Sequence, residues 1–195
     1  MTEMVNRDFN DSFKLLNKHI CKVYLPNDDI HITETANDGI ADITFTPHLP
    51  CLHICNCDKH HFPLLAQGRC ADHILLLYDV NTNQWELHVF ELTRTISHSL
   101  WSTKIIPQLE GALGDAFAIS GVLRIPSFSK TYLHCGYRFN KSETSPIELR
   151  APLGMPIDSD WLTKPINLPV FSDMTTISAP IKLDPDTGKA QLKLG

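Results

Sequence analysis

Residues 51–70 concentrate the thiol and imidazole side chains that zinc prefers in proteins. The candidate ligands in this stretch are Cys51, Cys55, Cys57, His60, His61 and Cys70. Cys55 and Cys57 are separated by one residue rather than two, and at most one of the two adjacent histidines is expected to bind. We predict a zinc site formed by Cys51, Cys55, Cys57, His60 and Cys70. The alternative is a set of reduced structural thiols with surface histidines.

A second group of candidate residues consists of two carboxylates. Asp72 lies immediately before an apolar run, HILLLYD, and Glu91 lies within the next one, WELHVFELT. An unpaired carboxylate beside a buried sheet costs free energy, so these two side chains are expected to bind a cation. The alternative is that they are charges at strand ends, either solvated or paired with Arg69 and Arg94.

The passage CADHILLLYDVNTNQWELHVFELTRT and the helical segment after it resemble the core of the PD-(D/E)XK superfamily, the restriction-endonuclease-like nucleases. In that family an Asp opens one strand of a hairpin, a Glu-x-Lys unit lies on the next strand, and a helix follows. Asp72 matches the first position and Glu91 the second, while Thr93 stands where the family has its lysine. The resemblance covers roughly residues 70–121, and its motifs are short enough to recur by chance.

This resemblance implies a bound Mg²⁺ or Mn²⁺ ion and hydrolysis of phosphodiester bonds. Hard cations take oxygen ligands, so the expected ligands are Asp72, Glu91 and the main-chain carbonyl of Leu92. Hydrolysis of a phosphodiester needs a nucleophilic water, stabilisation of the charge in the transition state and a leaving group, and a divalent cation can assist all three.

This chain has no lysine at the position where the family has one, and this limits what the resemblance implies about catalysis. Thr93 has a hydroxyl group but no positive charge, so Lys104, on the following segment, is the expected replacement. Gln108 resembles a glutamine that some members of the family use near the site, and alternatively it is a solvated helix residue. A family member without its lysine is often inactive.

A hairpin must bring the two carboxylates together. The turn-forming residues that follow the first apolar run predict a loop over Asn81–Gln84. That loop pairs Val80 with Trp85 and Asp72 with Thr93, which puts both carboxylates on one face of the sheet. Both runs are apolar at nearly every position, so we expect the hairpin at the centre of a sheet with both faces covered.

Other segments are predicted from their periodicity. Residues 10–25 favour an amphipathic helix with an apolar stripe of Phe13, Leu16 and Ile20, and residues 41–47 and 131–139 favour strands. Residues 51–63 favour a loop or small knuckle. A helix that begins near Pro107 and stops near Gly121 should bury Leu109, Leu113, Ala116, Phe117 and Ser120.

Length and composition indicate one domain. The chain has 195 residues, 43% of them apolar, which is enough for one substantial core. We expect an α/β domain over residues 1–170, with a central mixed sheet, a core antiparallel hairpin, flanking helices and a Cys/His-rich insertion at 51–70. Residues 171–195 should form a C-terminal hairpin or tail. No apolar run is long enough for a membrane helix, so a cytoplasmic protein without a membrane partner is expected.

The formal net charge of −5 argues against broad electrostatic coating of nucleic acid, although a local basic groove remains compatible with it. The expected function is that of a metal-dependent nuclease acting on DNA or RNA. The alternative is a catalytically inactive, nuclease-like protein that binds nucleic acid or a protein partner, with zinc shaping its surface. A homo-oligomer is also compatible with the sequence. The resemblance implies an intracellular setting in a bacterial or archaeal defence system or mobile element.

Overall fold

A computed structural model describes residues 16–36, 39–59, 68–141, 162, 166, 168, 171 and 173–193. Within these ranges the strands are β1 Cys21–Tyr24, β2 Ile30–Ala36, β3 Gly39–Thr46, β4 Cys51–Cys55, β5 His73–Asp79, β6 Gln84–Ile96, β7 Phe128–Asn140, β8 Ile177–Lys182 and β9 Lys189–Lys193. A 3-10 turn spans Cys57–Lys59. One helical turn, His98–Leu100, leads through a π-helical turn, Trp101–Ile105, into the helix α1, Ile106–Leu123.

The strands form two mixed sheets. One has six strands in the order β1-β4-β5-β6-β7-β8, and the other has three in the order β2-β3-β9. In the six-stranded sheet the pairs β1–β4, β4–β5 and β5–β6 are antiparallel. The pairs β6–β7 and β7–β8 are parallel. A parallel neighbour needs a crossover connection, and α1 supplies it between β6 and β7. The predicted α/β class with a mixed sheet is confirmed at this level, and the hairpin β5–β6 holds the two middle positions as expected.

The six-stranded sheet is covered on both faces. Ile74 and Leu76 of β5 belong to the core beneath α1, whereas Leu75 and Leu77 belong to the core shared with the three-stranded sheet. All four side chains are fully buried. Side chains alternate along a strand, so a strand between two apolar layers needs an apolar residue at every position. This explains the unbroken apolar run in the sequence.

The helix prediction is confirmed with two exceptions. Pro107 lies in the first turn of α1, and of the five residues predicted for the buried face only Phe117 is exposed, at 40%. The helix continues past Gly121 to Leu123, because Arg124 takes the left-handed conformation (φ 57°) that caps it. Within the described residues, no helix is long and apolar enough to cross a membrane.

Two predictions about the first third of the chain are wrong. The predicted helix over 10–25 falls partly on residues 1–15, outside the described residues, and its last part, Cys21–Tyr24, is the strand β1. Residues 51–55 form β4 rather than a loop or an inserted knuckle. β4 lies between β1 and β5, so both of its edges are paired. This strand was not predicted because Cys51 and His53 were interpreted as residues of a polar loop, although both are buried.

The C-terminal residues form neither a hairpin nor a tail. β8 extends the six-stranded sheet and β9 pairs in parallel with β3 in the other sheet, so this segment belongs to the domain. Arg138 of β7 holds the turn between them by donating to the carbonyl oxygens of Pro185 (2.7 Å) and Asp186 (2.9 Å). The proposed boundary at residue 170 is therefore wrong.

Two glycines of α1 provide a test of how tightly the helix packs against the segment before β5. A Cβ atom on Gly111 would overlap the carbonyl oxygen of Arg69, whereas one on Gly121 would meet open space. We expect Gly111→Ala to destabilise the fold by about 1–3 kcal/mol, despite the better helix propensity of alanine. Gly121→Ala should stabilise it by up to about 1 kcal/mol. Urea denaturation measures both changes in the free energy of unfolding. Similar effects of the two substitutions would contradict the close contact between Gly111 and the Arg69 carbonyl.

Candidate active site

The hairpin brings Asp72 and Glu91 opposite each other. The predicted pairing of Asp72 with Thr93 is wrong by two positions, because β5 and β6 pair His73 with Phe90 and Asp79 with Gln84. One step beyond His73, the same register faces Asp72 with Glu91. A shift of two positions preserves the alternation of side chains, so the two carboxylates still lie on one face.

The turn chemistry explains the shift. The Asp79 carboxylate accepts hydrogen bonds from the backbone N–H of Asn81 (2.9 Å) and the hydroxyl of Thr82 (2.8 Å), so the loop begins at Val80. Asn83 ends it in the left-handed conformation, with φ 55°. Asp and Asn stabilise such turns through their own side chains, which moves the four-residue loop one position earlier than predicted.

The segment carrying Asp72 is held from three sides. Its carboxylate Oδ2 accepts the backbone N–H of Leu92 at 2.7 Å, and its main-chain carbonyl accepts the N–H of Cys57 at 2.9 Å. The neighbouring Ala71 donates its N–H to the carbonyl of Gln108 in α1, also at 2.9 Å. Asp72 is consequently fixed against β6, the 3-10 turn and the helix, and its side chain is 8% exposed.

Glu91 is more deeply buried than Asp72, and among the described residues only one of its two carboxylate oxygens has a polar partner. Its side chain is 1% exposed, with Oε1 at 3.8 Å from the Nζ of Lys104. Its Oε2 atom is buried and has no hydrogen-bond partner among the described residues. Lys104 lies on the π-helical turn, a widened turn that often occurs at functional sites, and remains about half exposed. The structure thus brings the expected replacement lysine beside Glu91.

Burial and mutual repulsion disfavour the charged forms of both carboxyl groups. Burial, followed by the nearby charges of Glu34 and Asp58, raises the pKa of Asp72 to about 7, although the Leu92 N–H and Lys104 act against it. Burial and then the charge of Asp72 raise the pKa of Glu91 well above its usual range. One ammonium group at 3.8 Å does not compensate two buried carboxylates, so the pair can accept further positive charge.

Two acidic residues of this neighbourhood, Glu34 and Asp58, were not predicted from the sequence. Glu34 lies on β2 in line with Ile30 and Ile32, both fully buried, and is itself half-buried. The alternation of isoleucine at 30 and 32 with polar residues was the signal that could have placed it on the inner face. Asp58 lies on the exposed 3-10 turn, where only tertiary structure brings it near Asp72.

Thr93 and Gln108 lie nearby without supplying charge. The Thr93 hydroxyl donates to the main-chain carbonyl of Thr95 at 3.2 Å. The side-chain Oε1 of Gln108 is buried and has no hydrogen-bond partner among the described residues. Arg69 donates to the carbonyl of Thr103 at 2.8 Å, and Arg94 lies 6.0 Å from the ring centroid of Phe139. Both arginines therefore have contacts other than the candidate carboxylates.

The predicted zinc ligands are divided between the two cores. Cys51 lies in the core between the sheets, whereas Cys57 and Cys70 lie in the core beneath α1. Cys55 donates to the carbonyl of Ile20 at 3.1 Å, and His60 falls outside the described residues. A site that combines Cys51 with Cys57 and Cys70 is therefore wrong, because the six-stranded sheet separates them. All six cysteines are free thiols.

No three His, Cys, Asp or Glu side chains in the described part of the chain approach closely enough to enclose a metal ion. Asp72 and Glu91 supply two side chains, and the main chain can supply a third oxygen. The N–H and C=O of one strand residue point towards the same neighbouring strand. The Leu92 N–H points to Asp72, so the Leu92 carbonyl is directed to the same side.

No protein-family model, curated protein or solved structure matches this chain. The residues of the site and their geometry are therefore the basis for a functional proposal.

The raised pKa of Asp72 predicts how stability depends on pH. A carboxyl group whose pKa is higher in the folded state stabilises the fold below its unfolded pKa, and this contribution disappears as the pH rises through about 7. Asp72→Asn keeps an oxygen to accept the Leu92 N–H but cannot ionise. In the presence of EDTA, we expect its free energy of unfolding to exceed that of the wild type by at least about 1 kcal/mol at roughly pH 8, and to lose this advantage near pH 4.

Glu86→Gln is the matched control, because Glu86 lies on β6 of the same hairpin and its pKa is shifted in the opposite direction. The His88 ring and Lys130, 3.0 Å away, lower the pKa of Glu86 to about 2. Glu86→Gln should therefore be less stable than the wild type at neutral pH, with the difference shrinking in acid. Buried His53 and His73, whose pKa values burial lowers to about 3 and about 4, contribute equally to all three proteins. A pH-independent difference for Asp72→Asn would contradict the site electrostatics.

Proposed function

We propose that this chain is a metal-dependent nuclease of the restriction-endonuclease-like type, which hydrolyses phosphodiester bonds in DNA or RNA. The observation that carries the proposal is the buried Oε2 of Glu91, which has no hydrogen-bond partner among the described residues. The single ammonium group of Lys104, 3.8 Å from Glu91, does not balance the charges of Glu91 and Asp72. Leaving a buried charge uncompensated is costly unless a ligand compensates it.

The donor atoms fit a hard divalent cation. Asp72, Glu91 and the Leu92 carbonyl are all oxygen ligands, as Mg²⁺ and Mn²⁺ prefer, and few enough to leave room for waters and a phosphate. When bound, such a cation would stabilise charge on the phosphate and favour ionisation of water. Asp72 and Glu91 would hold it, and the Leu92 N–H would orient Asp72.

Lys104 is assigned the electrostatic role of the family's lysine. Its ammonium group is 3.8 Å from Glu91 and about half exposed, so it can contact a phosphate in solvent while remaining beside the carboxylates. A lysine placed beside the scissile phosphate stabilises the negative charge that develops in the transition state. Thr93, at the family's lysine position, would then contribute no charge.

The order of elements also supports this assignment. An antiparallel hairpin at the centre of a mixed sheet carries the carboxylates, a helix follows, and a parallel strand is added next. The hairpin and the helix after it are the elements that the resemblance implies. The three-stranded sheet on the opposite face is an addition to them. A cytoplasmic location and a role in a defence system remain predictions of the resemblance.

Thr93 favours a second candidate function, a nuclease-like protein without catalysis. In this alternative the domain binds nucleic acid or a protein partner, and the cation held by the carboxylates is structural. The acidic net charge of −5 is compatible with a protein partner.

Metal binding is the first test. At about pH 8, Mg²⁺ or Mn²⁺ should raise the free energy of unfolding by about 2.7 kcal/mol at a concentration one hundred times the dissociation constant. Asp72→Asn and Glu91→Gln should abolish this increment, and Glu86→Gln should keep it. Thermal denaturation with and without EDTA measures the effect. An equal increment in all four proteins would place the cation elsewhere.

Catalysis is tested with labelled single- and double-stranded DNA and RNA oligonucleotides in the presence of Mg²⁺ or Mn²⁺. We expect cleavage by the wild type and none by Asp72→Asn. Lys104→Gln should cleave at least about tenfold more slowly while keeping the metal-dependent stabilisation, since it removes charge from the transition state rather than a ligand. Metal binding without cleavage of any substrate would favour the non-catalytic alternative.

A further inference from the structure

Lys104 lies on a turn whose regular hydrogen bonding the sequence itself interrupts. Residues Trp101–Ile105 form the π-helical turn, and Pro107 follows in the first turn of α1. A proline has no N–H group, so it cannot make the α-helical hydrogen bond to the carbonyl four residues before it. In this chain that carbonyl belongs to Thr103, the residue immediately before Lys104. The Thr103 carbonyl therefore lacks its ordinary helical donor.

Arg69 donates to this carbonyl from a different segment. Its Nη1 lies 2.8 Å from the main-chain oxygen of Thr103. A guanidinium group in a protein is permanently charged, and a hydrogen bond from a charged donor is shorter and stronger than a neutral one. The contact ties the turn that carries Lys104 to the segment that leads into Asp72. It thereby connects the two parts of the candidate site that come from different regions of the chain.

The main chain of Arg69 provides a fixed base for that contact. A Cβ atom on Gly111 would overlap the carbonyl oxygen of Arg69, so the two backbones are in direct contact. Ala71 donates its N–H to the carbonyl of Gln108 in the same helix, at 2.9 Å. The segment is thus held against α1 through its main chain, and the exposed side chain of Arg69 extends from it to the turn.

The π-helical turn is anchored on its inner side by packing. Its two end residues, Trp101 and Ile105, are buried in the core beneath α1, whereas the three residues between them are exposed. Hydroxyl groups of the turn donate to carbonyls of the helical turn just before it, and these contacts are local. The Arg69 hydrogen bond instead connects the exposed side of the turn to a segment that is distant in sequence.

The position of this turn determines where the Lys104 ammonium group can lie. Lys104 directly follows the Thr103 carbonyl, and its Nζ is 3.8 Å from Oε1 of Glu91. A long, half-exposed lysine side chain loses rotamer entropy when it is held beside one partner. Movement of the main chain at its base would add to that loss. The Arg69 hydrogen bond restricts this movement and keeps the ammonium group within reach of Glu91.

We propose that Arg69 is a positioning residue, which holds the π-helical turn so that Lys104 stays beside the carboxylates. The inference rests on the proposed nuclease function, in which Lys104 supplies the positive charge of the family's missing lysine. Arg69 acts through Lys104, and its own charge is not required to touch the phosphate. A guanidinium group that bound the substrate directly would contribute whether or not Lys104 were present.

A double-mutant cycle separates these two roles. Single-turnover cleavage of the labelled oligonucleotides at saturating Mn²⁺ is measured for the wild type, Arg69→Gln, Lys104→Gln and the double variant. We expect Arg69→Gln to lower the saturating rate at least about threefold, and the double variant to cleave within about twofold of Lys104→Gln. The substrate concentration that gives half of the maximal rate should stay within about twofold of the wild-type value.

Two outcomes of the cycle would overturn the inference. Equal factors for Arg69→Gln in the wild-type and Lys104→Gln backgrounds would mean that Arg69 acts independently of Lys104. A large rise in the half-saturating substrate concentration would mean that Arg69 binds the substrate itself.

Arg94→Gln is the matched control for the loss of one positive charge. Arg94 is an exposed arginine of β6 whose guanidinium carbon lies 6.0 Å from the ring centroid of Phe139. Its substitution removes the same charge without releasing the π-helical turn. We expect Arg94→Gln to cleave within about twofold of the wild type, because an exposed charge is screened by salt. A rate as low as that of Arg69→Gln would overturn the inference, since loss of charge alone would then explain both.

A second readout does not depend on cleavage. The ion pair of Lys104 with Glu91 should couple Lys104→Gln and Glu91→Gln in a double-mutant cycle of urea denaturation, with EDTA and at the alkaline pH chosen for Asp72→Asn. We expect this coupling to be lost when the same cycle is repeated in the Arg69→Gln background, because the turn no longer holds the ammonium group in place. Equal coupling in both backgrounds, or none in the wild type, would overturn the inference.

The two readouts distinguish the failure of this inference from the failure of the nuclease proposal. If the wild type cleaves nothing while the coupling depends on Arg69, the nuclease proposal has failed in its catalytic form and Arg69 still positions Lys104. If the wild type cleaves and the coupling is the same with and without Arg69, only the role of Arg69 is wrong.

Discussion

Two carboxyl groups face each other at the buried end of a hairpin, and the fold keeps them there against their repulsion. Asp72 is held by the Leu92 N–H, and Glu91 is buried on the adjoining strand with a single ammonium group 3.8 Å away. Their shifted pKa values express the free energy that this arrangement costs. A fold selected for stability alone would place apolar side chains at both positions. The arrangement is understandable if the site is completed by a cation.

The rest of the architecture limits how far this site can relax. The hairpin lies at the centre of a sheet that is covered by α1 on one face and by three strands on the other. The segment before β5 is pinned by hydrogen bonds from its main chain to the 3-10 turn and to α1. Close contact between Gly111 and the Arg69 carbonyl leaves no room for this segment to move towards the helix. The carboxylates therefore cannot separate without loss of packing.

The parts of the fold that could be predicted from sequence are those with strong local signals. Unbroken apolar runs revealed the central hairpin, and the periodicity after Pro107 revealed α1. The strand β4 was missed because its burial involves Cys51 and His53, residues that score as polar or reactive. The position of β9 depends on pairing with β3, which is distant in sequence, and no local pattern encodes such a partner. For the site, Asp72, Glu91 and Lys104 were named from the resemblance to a known motif and from its missing lysine. Glu34 was not, because its approach depends on how a second sheet packs.

The three-stranded sheet is assembled from opposite regions of the chain. β2 and β3 are adjacent in sequence, but the third strand, β9, is formed by Lys189–Lys193 and joins in parallel with β3. During synthesis the layer that carries Glu34 thus remains a two-stranded ribbon until nearly the whole described chain has emerged. A ribosome-bound chain would already contain the hairpin while the layer that covers one of its faces is unfinished. We expect this order of synthesis to delay completion of the three-stranded layer until β9 has emerged and paired with β3.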